Sequence, residues 1–175
     1  MRFFLPLALF LFFGTGVFGQ SFPNPATLST GQGTPGNNDP VWLVSGWYSS
    51  NPPNPMGLTY NPALINNNCA PGAWVDPATL PPPTNNGNWI SGASPCSSNT
   101  NDGYIYFRLP LNLPADCNGN SVATTGSYTL YLSGYVDNQI TDVYVNGTST
   151  GISGGAYSAG SQLNFQLTGP WVPGN

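Results

Sequence analysis

Prolines at positions 52, 53, 55, 62, 71, 77 and 81–83 break the middle of this chain more thoroughly than any other feature shapes it. Proline fixes φ and has no N–H to donate, so a regular helix is ruled out across that stretch, and so is any central β-strand. The stretch runs NPPNPMGLTYNPALINNNCAPGAWVDPATLPPPTNNGNWISG and is expected to be mostly loop. Within it only GAWV (72–75) and NWIS (88–91) have the apolar, turn-bounded character of short strands. A loop region of this length inside a compact domain is commonly functional.

On either side the pattern is β. The first strand is expected over VWLVSGWY, Val41 to Tyr48. After Asn101, GYIYFRLPL alternates, with Ile105, Phe107 and Leu109 on one face and Tyr104, Tyr106 and Arg108 on the other. SYTLYLSGYV places Tyr128, Leu130 and Leu132 together. DVYV sets Val143 and Val145 opposite Asp142 and Tyr144, and Asn146-Gly147 then supplies a two-residue hairpin turn in which both residues tolerate positive φ. QLNFQL aligns Leu163, Phe165 and Leu167. No segment keeps a helical period over three turns. Seven or eight short strands with turn signals between them predict an all-β protein, an antiparallel β-sandwich or jelly roll with long Pro/Asn-rich loops.

The N-terminus reads MRFFLPLALFLFFGTGVFGQ, with Arg2 ahead of an apolar run from Phe3 to Phe13 and small residues at Gly14, Gly16 and Gly19. That is the layout of a secretory signal peptide over residues 1–20, and the run is too short for a bilayer, which takes ~20 residues. The expected organisation is a signal peptide, a polar leader over 21–40, and one β-sandwich domain over 41–175. After signal removal the chain is expected outside the cell or on its surface, with no membrane insertion.

Charge excludes more than it suggests. Charged residues are 5% of the chain, against ~25% in an ordinary globular protein. Beyond the signal, Arg108 is the only basic side chain, and the acids are Asp39, Asp76, Asp102, Asp116, Asp137 and Asp142. One arginine cannot build a basic patch, so nucleic acid and anionic membranes are not expected partners. Aromatic residues at 13% argue against disorder, because such rings bury large areas.

The catalytic inventory is thin. There is no His and no Glu, a serine nucleophile would find no His or Lys to activate it, and no GxSxG stretch occurs. Paired carboxylates could hydrolyse a glycoside only if burial raised the pKa of one of them. No enzyme is expected. Asp137 and Asp142 flank a corner between two strands, where Asp137-Asn138 would make the bend with its side chains capping backbone amides.

Three cysteines, Cys69, Cys96 and Cys117, are expected to be oxidised in an exported chain. Any internal pairing leaves one thiol over. Cys69 with Cys96 is favoured, since both lie in long loops that a staple would restrain. Without CxxC or Cys/His spacing a zinc site is not expected. The tryptophans are many for the length. Trp42 and Trp171 read as core, whereas Trp47 with Tyr48, Trp74 and Trp89 lie in or beside long loops, where flat rings can stack on sugar faces and loop Asn and Asp can supply hydrogen bonds.

GYIYFRLPLNL, LYLSGYVDNQITDVYVNGTSTG and SQLNFQLTGPWVPGN together resemble a galactose-binding-like jelly-roll module of large secreted bacterial proteins. The matching positions are Tyr104 and Tyr106, Asp137 and Asn138, Val143, Val145, Asn146 and Gly147, and Gly174 and Asn175, within a span of about residues 41–175. The Pro/Asn-rich insertion has no counterpart in that pattern. The resemblance implies a non-catalytic, carbohydrate-binding module; the low charge favours the alternative, a structural or adhesive surface module without a small ligand that meets neighbouring surface proteins. The resemblance also implies a possible structural calcium, with Asp137 and Asp142 as ligands and Asp39 or Asp102 as further contributors, although calcium takes six to eight oxygens and no DxDxDG loop is present. Because the pattern calls for an apolar strand after Gly174-Asn175, the chain is expected to be the N-terminal part of a longer protein.

Overall fold

A computed structural model describes residues 28–52, 54–66, 76, 79, 87–92, 103–111, 129–158 and 160–168. These residues form an antiparallel all-β fold of eight strands with one 3₁₀ turn. The strands are β1 (Asn38–Ser45), β2 (Tyr60–Asn66), β3 (Trp89–Ser91), β4 (Phe107–Arg108), β5 (Thr129–Gly134), β6 (Tyr144–Val145), β7 (Thr148–Ser149) and β8 (Leu163–Thr168). They make one four-stranded sheet, ordered β3-β2-β1-β4, and two two-stranded ribbons, β5-β8 and β6-β7. Among the described residues no helix is long and apolar enough to cross a membrane. The signal-peptide segment, the 72–75 strand, Trp74, Trp171, Asp102, Asp116, the three cysteines and Gly174-Asn175 lie outside the described residues.

The expectation that prolines exclude a central strand fails at β2, which runs through Pro62 and has β1 on one side and β3 on the other. Local interruptions of both ladders explain it. β3 pairs with β2 only from Leu64 to Asn66, so Pro62 has no strand beside it there. On the other side the register jumps: β1 advances from Asn38 to Leu43 while β2 advances only from Leu64 to Pro62. A bulge opposite a proline removes the ladder bond that the proline could not make.

Asp39 occupies that bulge. Its Oδ1 accepts from the backbone N–H of Val41 and Trp42, each at 2.8 Å, and its Oδ2 from the N–H of Gly31 at 2.5 Å. The carboxylate thus takes up donors that the bulge withdraws from β-pairing, and it is 3% exposed. The end of the polar stretch ahead of Val41 is consequently part of the sheet, and the described residues before it are bonded to the sheet. Asn38–Pro40 belong to β1, the Trp42 indole donates to Leu28 O at 2.7 Å, and Asn88 N donates to Thr30 O at 2.8 Å.

One face of the large sheet holds the core, with Val44, Ala63 and Ile65 buried. Ile90 pairs with Ile65, and Val44 and Ile105 meet at Gly92, where an added Cβ would lie 2.7 Å from the Ile105 Cδ1. The expected long strand over 103–111 is shorter. Tyr104 forms a bridge with Tyr48 and only Phe107–Arg108 pair with β1. Between them Tyr106 N donates to the Ser45 hydroxyl, so a side chain replaces a ladder carbonyl.

The Asn146-Gly147 turn forms as the sequence predicts, with φ of 49° and 80° at its two residues. Its arms continue past the short ladder, through Thr150 N to Val143 O and the Ile140–Gly154 bridge. The tip rests on the 3₁₀ turn Pro55–Gly57, where a Cβ on Gly147 would stand 2.7 Å from Met56 Cγ. Gly147→Ala is therefore expected to cost about 1–2 kcal/mol, from positive φ and from displacing Met56. Urea denaturation measures it, and an unchanged midpoint would contradict the turn geometry.

Candidate functional site

Among the described residues the loop aromatics do not converge. Trp89 pairs with Asn66 at one end of β2, while Trp47 follows Ser45, which pairs with Tyr60 at the other. At ~3.3 Å per residue the two ends are roughly 20 Å apart, and the two residues also sit beside opposite edges of the sheet. Trp89 is half-buried in β3. Trp47 is 40% exposed and lies against Gly103, whose added Cβ would meet the indole Nε1 at 2.6 Å. Tyr48 is half-buried, and its backbone exchanges two hydrogen bonds with Tyr104, at 2.9 and 2.7 Å.

Near Tyr48 the phenols form a polar cluster. The Tyr106 and Tyr144 rings are 6.1 Å apart and tilted by 54°, the Arg108 guanidinium lies 5.5 Å from the centre of the Tyr60 ring, and the Tyr106 hydroxyl donates to Asn51 Oδ1. Burial pushes the Tyr60 and Tyr106 hydroxyls up, and neighbouring tyrosines add to the rise. Phenols shifted in that direction stay protonated and are poor nucleophiles. The cluster ties the 47–55 loop to the sheet through Tyr106 and through Tyr60, whose hydroxyl donates to Pro55 O at 2.9 Å.

At the corner, the bend falls at Asp137-Asn138 as expected, but Asp142 makes the caps. Its Oδ1 accepts from Val143 N at 2.8 Å and Gly151 N at 3.1 Å, and its Oδ2 from the Ser149 hydroxyl at 2.5 Å. The Ser149 hydroxyl and the two backbone N–H groups hold its carboxyl below the usual carboxylate range, whereas partial desolvation pushes that of Asp137 up. Asp39 and Asp142 are each engaged with three N–H or O–H donors. Among the described residues no three His, Cys, Asp or Glu side chains gather into a metal site.

The two acids should therefore titrate apart. A depressed folded pKa means that the Asp142 contribution is complete above the unfolded value of ~3.9 and is lost as pH falls through the folded value. For Asp137, the raised folded pKa makes its contribution complete below ~3.9 and lost as pH rises through the folded value. Carboxyl chemical shifts followed from pH 7 downward are expected to show Asp137 protonating first. Coincident midpoints would overturn the assignment.

Among the described residues the most accessible aromatic side chain is Tyr131, 80% exposed at the centre of β5. It pairs with Gln166 on β8, and it shares its face with the pairs Ser133–Asn164 and Thr129–Thr168. The opposite face carries Leu130, Leu132, Leu163, Phe165 and Leu167, all partly buried. An open groove of about 360 Å³ lies against the ribbon, lined by Tyr131, Ser133, Asn164 and Gln166 of this face and by Leu132 and Phe165 of the other. The polar side chains are aligned by one another. Ser133 Oγ donates to Asn164 Oδ1 at 2.7 Å and accepts from Gln162 Nε2 at 2.6 Å, and the Thr129 and Thr168 hydroxyls are 3.3 Å apart.

A search for tryptophans in loops misses Tyr131. The signal lay in the alternation, since whatever face carries Leu130 and Leu132 leaves Tyr131 on the other. Comparison with protein-family models, curated proteins and solved structures finds no match for this chain.

Proposed function

We propose that this chain is a secreted, non-catalytic β-sandwich module of the jelly-roll kind that binds glycan through the outer face of β5 and β8. The observation that carries this reading is Tyr131, a ring 80% exposed and set among hydroxyl and carboxamide side chains on a two-stranded platform. An exposed ring offers a flat face on which a sugar can stack, and amides around it fix a ligand's orientation. The resemblance to galactose-binding-like modules argues in the same direction by association.

A structural or adhesive role is the second reading. It is favoured by the β5-β8 ribbon itself, which has no further strand along either edge among the described residues. Open edges invite pairing with another chain, here a neighbouring surface protein. Affinity electrophoresis of the protein through gels containing different polysaccharides separates the two, with folding checked by circular dichroism. Retardation is the expected result. A folded protein that no polymer retards leaves the adhesive reading in its place.

A further inference from the structure

The shape and chemistry of the β5-β8 face go further than glycan binding in general. Its three cross-strand pairs, Thr129–Thr168, Tyr131–Gln166 and Ser133–Asn164, alternate along one face of the ribbon. At ~3.4 Å per residue they form a strip roughly 14 Å long and only two strands, ~5 Å, wide. The ring sits midway, with a polar pair before it and another after it. A strip of those proportions fits a short run of an extended polymer better than one isolated sugar, because both outer pairs lie beyond the reach of a single ring stacked on Tyr131.

The hydrogen-bonding capacity left over is specific in kind. Asn164 Oδ1 and the Ser133 hydroxyl are engaged with each other and with Gln162. The Gln166 carboxamide, the Asn164 amide nitrogen and the Tyr131 hydroxyl make no hydrogen bond to any of the described residues. They offer donors and acceptors but no charge, and no charged side chain lines the groove. A carboxylated or sulfated polymer would have to desolvate its anions against neutral amides, which is unfavourable. A neutral polymer matches group for group.

Resting on the glycan-binding reading above, we infer that the ligand is a neutral, extended, β-linked polysaccharide that lies along the Thr129–Ser133 direction, with one unhindered pyranose face on Tyr131, that sugar's hydroxyls on Gln166 and those of the next sugar on Asn164. Straightness follows from the strip, neutrality from its side chains, and the unhindered face from a single flat ring as platform. A coiled α-linked chain would lift off the outer pairs.

The test uses the protein in affinity gels carrying hydroxyethylcellulose or glucomannan as straight neutral polymers, soluble starch as a coiled neutral polymer, and polygalacturonate as a charged one, each also run with Tyr131→Ala and Gln166→Ala. The expected result is retardation by a straight neutral polymer, abolished by Tyr131→Ala and weakened severalfold by Gln166→Ala, with starch and polygalacturonate inert. Retardation by starch or polygalacturonate that Tyr131→Ala abolishes overturns this inference and leaves glycan binding standing. Retardation that Tyr131→Ala leaves intact, or no retardation by any polymer, overturns both.

Discussion

Replacing Asp39 by alanine is expected to lower folding stability by about 3 kcal/mol, since each buried donor left unsatisfied costs ~1–3 kcal/mol. Three backbone N–H groups, those of Gly31, Val41 and Trp42, would lose their acceptor together. No alternative pairing is at hand for the latter two, because the bulge has already removed β2 from their reach. Gly31 would lose the bond that holds the segment ahead of β1 against it. Asp39→Asn serves as the graded control. Its single carbonyl oxygen can keep Val41 and Trp42 but would present an amide to the Gly31 N–H, so roughly 1–2 kcal/mol should be lost. Urea unfolding of the three proteins reads both values. An alanine variant within ~0.5 kcal/mol of the parent, the ordinary range for an inert surface change, would show that the carboxylate is dispensable.

The second large effect is on binding. Tyr131→Ala should weaken glycan affinity at least tenfold, about 1.4 kcal/mol, while leaving stability within ~0.5 kcal/mol because the side chain is so exposed. Tyr131→Phe keeps the ring and should keep most of the affinity, which separates stacking from the hydroxyl's hydrogen bond. Trp47→Ala and Trp89→Ala should bind as the parent does, for these rings are at opposite ends of another sheet. Affinity gels read all four. Equal affinity for Tyr131→Ala and the parent would move the site elsewhere.

Alternation was a sufficient guide for the two strands of the β5-β8 ribbon, each with one half-buried and one exposed face. β5 and β8 follow from their leucines, and Asn146-Gly147 marks its hairpin because few other pairs accept two positive φ values. β2 was illegible for a definite reason. The rule against proline in a central strand assumes continuous ladders on both sides, and at Pro62 neither is continuous. Asp39 was equally hidden, because a capping role depends on a bulge that no local pattern announces. Trp47 and Trp89 could be nominated by residue type, but whether they meet depends on strand order and register, which composition does not carry. At the corner the bend was placed at Asp137-Asn138, yet the caps went to Asp142. The hairpin's return arm brings Ser149 and Gly151 back beside it, a contact made across the turn rather than along the sequence.

The absence of charged side chains from the lining of the β5-β8 groove has a consequence for the setting in which such a surface works. Attraction between charges fades beyond a Debye length of ~8 Å at physiological ionic strength and shrinks further in brine. A contact made of ring face, amide and hydroxyl has no such term to lose. Its grip should be the same in fresh water and in concentrated salt, a useful indifference for a protein that cannot choose its solvent.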